Sequence, residues 1–191
     1  AQKIVFAEKK EDDLFKEINW KDFYSDIRNI AANLREQGFR KGDKMIIYSP
    51  NRLEMLELEL ALMAVGGISV PLFAYFQGET ANLLIRHSDA RYITVAGQMQ
   101  LDRLDEDLPV EKIFIFAPPA QTRRTGILPF SVLLTPALPS ALSLDFDVDP
   151  DAVALNMYTS GTMGIPKCVQ LTHRNILSQQ AAFEKILKLN E

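Results

Sequence analysis

An α/β fold built around a largely parallel sheet is predicted by three features of the sequence. Short apolar runs suited to buried strands alternate with stretches whose apolar residues recur at helical spacing. Glycine and proline stand at the changeovers, as at Gly38, Pro50 and Gly66-Gly67. The 191 residues are 47% hydrophobic, enough to bury one sizeable core. Alternation of strand and helix calls for crossover connections, and these place helices on the faces of the sheet.

The first residues carry an apolar patch, Ile4-Val5-Phe6, then a charged run from Lys9 to Asp13, then Leu14 and Phe15. This reads as two short edge strands around a solvated turn. Asn19 is placed to cap a helix with Asp22 in its first turn, where acidic residues oppose the positive end of the helix dipole. Phe23, Ile27, Ile30, Ala31 and Leu34 supply the inward stripe, and Gly38 suits the stop. Lys44 to Tyr48 is a strand, and Ser49-Pro50-Asn51 turns the chain into a second helix. There Leu53, Leu56, Leu60, Met63 and Ala64 form one stripe, with Met55, Leu58 and Leu62 widening it. Glu54, Glu57 and Glu59 are expected on its exposed edge rather than in a metal or acid–base site.

Gly66-Gly67 ends that helix and Ile68 to Phe73 reads as a buried strand. A helix over Glu79 to His87, a strand over Tyr92 to Val95, a helix through Met99 to Leu104 and a strand over Lys112 to Phe116 follow. His87 stands at a helix end and is assigned a structural role. Residues 117–151 lose periodicity and gain Pro118, Pro119, Pro129, Pro136, Pro139 and Pro150, so they are expected to form an irregular connector. Within it Asp145, Asp147, Asp149 and Asp151 alternate, without the glycine and terminal glutamate of an EF-hand loop. They read as a solvated approach. Ala152 to Met157 and Cys168 to Leu171 are strands, and Thr172 can cap a last helix with Asn175 in its first turn and Ile176, Phe183 and Leu187 facing inward.

Composition excludes some classes of function. With 21 basic and 25 acidic residues the formal charge is −4, and no basic stripe marks a nucleic-acid partner. The single cysteine, Cys168, cannot form an internal disulfide and fits a reducing, cytoplasmic compartment. The opening residues show no secretory signal. The uncharged run from Leu60 to Phe76 is broken by Gly66-Gly67, Ser69 and Pro71, so it reads as helix end, turn and strand, not as a membrane span. Peripheral membrane contact stays open, as does self-association through an exposed sheet edge.

The chemistry concentrates in Tyr158 to Lys167, Tyr-Thr-Ser-Gly-Thr-Met-Gly-Ile-Pro-Lys, between the last two strands. Gly161 and Gly164 let the backbone turn tightly and approach a ligand, so successive amides can point inward as an anion nest. Thr159, Ser160 and Thr162 add hydroxyl donors, and Lys167 adds a point charge on a flexible stem. The spacing matches neither the Walker loop nor the dinucleotide fingerprint, both of which open a helix. Judged alone, the same residues also make ordinary turn chemistry between two strands. Cys168 reads as a buried strand cysteine rather than a nucleophile, and His173 as part of a helix start.

The loop, followed by Val169, Leu171-Thr172-His173 and Asn175, resembles the signature of the acyl-adenylate-forming enzymes. So, in order, do Gly38 with Lys41-Gly42-Asp43, Pro50-Asn51, Ala64 to Leu72, and Glu79 to Ala90. Met163 and Cys168 depart from the usual threonine and glycine. The resemblance implies an AMP-binding domain acting on a carboxylic acid, ATP with Mg2+, and coenzyme A. It gives phosphate binding to Thr159, Ser160, Gly161, Thr162, Gly164 and Lys167, with no catalytic residue and no metal ligand in this stretch.

Family members are much longer, with their nucleotide and acyl pockets, acidic magnesium ligand and mobile C-terminal domain beyond the matched region. Residues 1–191 are therefore expected to be an incomplete N-terminal adenylation domain, inactive alone, from an acyl-CoA synthetase acting on fatty acids. An aryl-acid or other acid-adenylating ligase is the alternative. A non-enzymatic module that keeps the fold is another.

Overall fold

The computed structural model describes residues 3–9, 15–118, 124–137, 148–159 and 166–187. A two-stranded antiparallel sheet, β1 (Ile4–Lys9) with β2 (Phe15–Asn19), leads into helix α1 (Trp20–Glu36). Asn19 caps α1, its Oδ1 accepting from the Asp22 amide at 2.9 Å. The main sheet then builds from β3 (Lys44–Tyr48), α2 (Leu53–Ala64), β4 (Ile68–Leu72), α3 (Gly78–Ser88), β5 (Tyr92–Val95), α4 (Gln98–Asp102) and β6 (Lys112–Ile115). It is extended by β7 (Ile127–Pro129) with α5 (Ser131–Leu134), by β8 (Val153–Thr159) and β9 (Lys167–Thr172), and α6 (His173–Leu187) ends the described chain.

The seven strands lie in the order β7-β6-β5-β3-β4-β8-β9, all parallel except the β8–β9 hairpin. Both faces are buried, so strand residues alternate between two cores. Met45 and Ile47 pack with α1, α2 and Leu133 of α5 on one face. Ile46 and Tyr48 pack with Ala81, Leu84 and Ile85 of α3 and Leu101 of α4 on the other. Consequently the chain leaves β3 toward one face and the neighbouring β4 toward the opposite face. The carboxyl ends of those two strands border a crevice, the place where open α/β sheets bind ligands.

Three expectations need correction. Glu57 is not on an exposed edge: it is 2% exposed, beside the buried Leu58, Ala61 and Leu62, whereas Leu60 faces solvent. Apolar residues ring α2 almost completely, so periodicity singles out no face and packing against the sheet decides it. Glu59 is also partly enclosed, accepting from Ser69 Oγ at 3.2 Å, and burial raises its pKa. Glu54 pairs with Arg52 at 2.9 Å.

The stretch 117–151 is not wholly irregular. β7 adds to the edge of β6 where a proline is tolerated, and Leu133 of α5 is fully buried. The Asn33 side chain holds α5, donating to the Leu133 and Thr135 carbonyls at 2.9 and 2.8 Å. Finally, Phe183 does not face inward on α6. It is 55% exposed, along with Leu177 and Ile186, while Ile176 is half-buried and the Leu187 side chain lies outside the described residues.

Candidate functional site

The β8–β9 hairpin sets the geometry of the loop. Its register pairs Thr159 with Lys167 and Tyr158 with Cys168, so both ends of the loop meet across one closing rung. Thr159 Oγ1 lies 3.5 Å from the Lys167 carbonyl, and both side chains are exposed. Of the six residues assigned to phosphate binding, Thr159 and Lys167 are thus brought together at the stem. Ser160, Gly161, Thr162 and Gly164, like Met163, lie outside the described residues. Because β8 runs parallel to β4, the Thr159–Lys167 rung stands at the same end of the sheet as the carboxyl-end crevice.

That crevice, about 600 Å3, is lined by Asn51 after β3, Met55 of α2, Phe73 and Tyr75 after β4, and Met157 and Tyr158 of β8. The β4 wall is anchored from behind: Tyr48 donates to the Phe76 carbonyl, and Arg103 Nη1 donates to the same oxygen at 2.9 Å. This lining is assembled from the ends of three strands, so sequence pattern marked only fragments of it, the polar turn Ser49-Pro50-Asn51 and Tyr158 at the start of the loop.

Tyr158 is the most constrained residue of the stem. Its hydroxyl lies 2.8 Å from His87 Nδ1 and donates toward the Leu84 carbonyl at 3.3 Å, and its ring meets the imidazole edge to face. Burial, then the neighbouring Cys168 and Asp89, push the phenol up to about 12, so the hydroxyl stays protonated at neutral pH. His87, at the end of α3, is thereby tied to the stem of the hairpin. Cys168 is half-buried opposite Tyr158, not enclosed in a strand core.

His173 opens α6, whose cap is reciprocal: the Thr172 amide donates to Asn175 Oδ1 at 3.0 Å and the Asn175 amide to Thr172 Oγ1 at 3.2 Å. His173 Nε2 is buried and has no hydrogen-bond partner among the described residues. Burial therefore holds its pKa below 6.5, against a smaller opposing pull from Asp149. As pH falls, the unfolded chain takes up this proton first, so stability is lost from 6.5 downward. The thermal midpoint is expected to drop between about pH 7 and about pH 5, and His173→Phe to flatten that slope. Equal slopes in both proteins would refute the assignment.

The two described members of the aspartate alternation are both engaged by donors of the protein itself. Asp149 Oδ1 accepts from the Asp151 amide at 2.9 Å, and Arg174 grips both Asp151 oxygens at 2.6 and 2.9 Å. Asp145 and Asp147 lie outside the described residues. Among the described residues no three His, Cys, Asp or Glu side chains gather as a metal centre, and no helix is long and apolar enough to cross a membrane.

The Thr159–Lys167 rung thus stands at the carboxyl edge of a largely parallel sheet covered on both faces. The chain belongs to the AMP-binding enzyme family, whose model matches residues 2–190. It is 28% identical over 179 residues to a phenylacetyl-CoA ligase of Aspergillus niger, covering 86% of this chain and 32% of that protein. A long-chain-fatty-acid–CoA ligase of Mycobacterium bovis is 26% identical over 173 residues, covering 88% of this chain and 28% of that protein. The fold matches an acyl-CoA synthetase of Brucella canis with a TM-score of 0.76 at 18% identity, over 96% of this chain and 33% of that one. This is the N-terminal domain architecture of adenylate-forming enzymes. The chain spans about a third of the length of the relatives it matches.

Proposed function

We propose that the whole protein is an AMP-forming acid–thiol ligase that activates a fatty acid with ATP and passes the acyl group to coenzyme A. A carboxylate oxygen bonds to the α-phosphorus as the bond to pyrophosphate breaks. The thiol sulfur then attacks the acyl carbon, AMP departs, and the thiol proton is lost. The obstacle in the first step is repulsion between the carboxylate and a polyanion, followed by departure of another polyanion. Thr159, Ser160 and Thr162 donate hydroxyl hydrogen bonds to the departing phosphates, the Gly161 and Gly164 backbone approaches them closely, and Lys167 disperses their charge. Mg2+ bound with the nucleotide would supply further charge neutralisation there. Met163 contributes only its amide where a hydroxyl is usual.

The observation that carries this reading is the Thr159–Lys167 rung at the carboxyl edge of the sheet, in a chain of the AMP-binding family. The fatty-acid assignment draws on the likeness of Gly38 to Ala90 to that branch, and the single cysteine supports a cytoplasmic setting. Acid-dependent ATP–pyrophosphate exchange across fatty and aryl acids tests it. The whole protein is expected to respond to fatty acids and residues 1–191 alone to none. A response to aryl acids only would make it an aryl-acid ligase, and no response to any acid would leave a non-enzymatic module.

A further inference from the structure

We propose that His87 and Tyr158 form a strut that positions the stem of the phosphate-binding loop, so that a helix outside the loop fixes the Thr159–Lys167 rung. The inference rests on the proposed phosphate role of the loop. Its ground is the weak attachment of β8. On the β4 side, β8 is paired through Ser69 and Leu155 alone. Beyond Leu155 the strand borders the crevice, and its backbone is held by β9 only, itself the edge of the sheet. A two-stranded ribbon that leaves its sheet is marginal by itself and free to splay.

The side chains of the free end decide how it is held. Asn156 is buried, and Met157, 42% exposed, faces the crevice. Tyr158 points the other way, packs on the second core and reaches α3 through both the Leu84 carbonyl and His87 Nδ1. Helix α3 is a firm anchor because Ala81, Leu84 and Ile85 are buried beneath it. Asn82 fastens it further, donating to the Arg103 carbonyl at 2.8 Å. The strut thus joins a rigid helix to the residue that immediately precedes Thr159.

The strut also tolerates either charge state of the imidazole. A neutral ring can accept the phenol proton at Nδ1. A protonated ring donates from Nδ1 to the phenol oxygen, which then donates to Leu84.

Tyr158→Phe and His87→Ala, made singly and together, test the strut by amide hydrogen exchange in the 191-residue chain. Each single variant is expected to speed exchange of the Thr159 and Lys167 amides about three- to tenfold, with no further gain in the double variant. Exchange in α1, far from the hairpin, should stay unchanged. Unchanged exchange at Thr159 and Lys167 in both single variants would overturn the strut. In the whole protein, both variants should raise KM for ATP about three- to tenfold while KM for the acid holds within about twofold. Looser exchange with an unchanged KM for ATP would reduce the contact to a structural one and overturn the positioning role. A wild-type protein without acid-dependent exchange would instead sink the ligase reading, and hydrogen exchange would still decide the strut.

Discussion

Lys167→Ala is expected to lower acyl-adenylate formation by the whole protein about 100-fold or more, mostly through the phosphate-dependent step. The lysine is exposed at the closing rung of the hairpin, where its backbone, not its side chain, pairs with Thr159. Alanine preserves that pairing, so the thermal midpoint should move by no more than about 1–2 °C. What disappears is a positive charge beside a departing polyanion, which matters more as negative charge leaves the α-phosphorus than in the resting complex. The loss should therefore fall on kcat and on KM for ATP, and spare KM for the acid. Lys167→Arg keeps the charge but replaces a compact ammonium with a planar fork, and should recover only part of the rate. Activity of Lys167→Ala within about threefold of the wild type would remove this residue from the phosphate site.

The β8–β9 hairpin was legible because two short apolar runs flank a polar stretch with the glycines and proline of a strand-to-strand turn. The caps at Asn19 and Thr172 were legible for a similar reason: both are local, with partners three residues away. What the pattern concealed is non-local or featureless. The tie between His87 and Tyr158 spans 71 residues, and nothing near either side chain announces the other. Helix α2 is apolar nearly all round, so no stripe revealed that Glu57 would be buried while Leu60 faced solvent. β7 is three residues long, too short for any period, and acquires its identity only by pairing with β6. The outward Phe183 followed the same logic, because periodicity marks an apolar face without supplying the surface that covers it.

Gly67→Ala is expected to destabilise the chain by about 2–3 kcal/mol and lower its thermal midpoint by roughly 5–10 °C. Gly67 joins α2 to β4, its amide donating to the Leu62 carbonyl at 2.8 Å. A methyl group there would meet the Phe39 ring, with Cζ at 2.7 Å, and the Leu62 carbonyl oxygen at 3.3 Å. The ring cannot swing aside: Phe39 is 1% exposed and packs against the Tyr92 ring at 5.0 Å between centroids. Close-packed interiors absorb such an insertion only by moving backbone or forcing rotamers. Here the backbone that would move is the entry to β4, whose far end forms a wall of the crevice.

Gly42→Ala provides the contrast. Its added methyl would meet nothing within 4 Å, but the backbone sits at φ +86, so the cost is conformational, about 1 kcal/mol. Phe39→Leu should therefore rescue part of the Gly67→Ala loss and none of the Gly42→Ala loss when measured by denaturant unfolding of all single and paired variants. Additive losses at Gly67 and Phe39 would mean that the ring is not the obstacle.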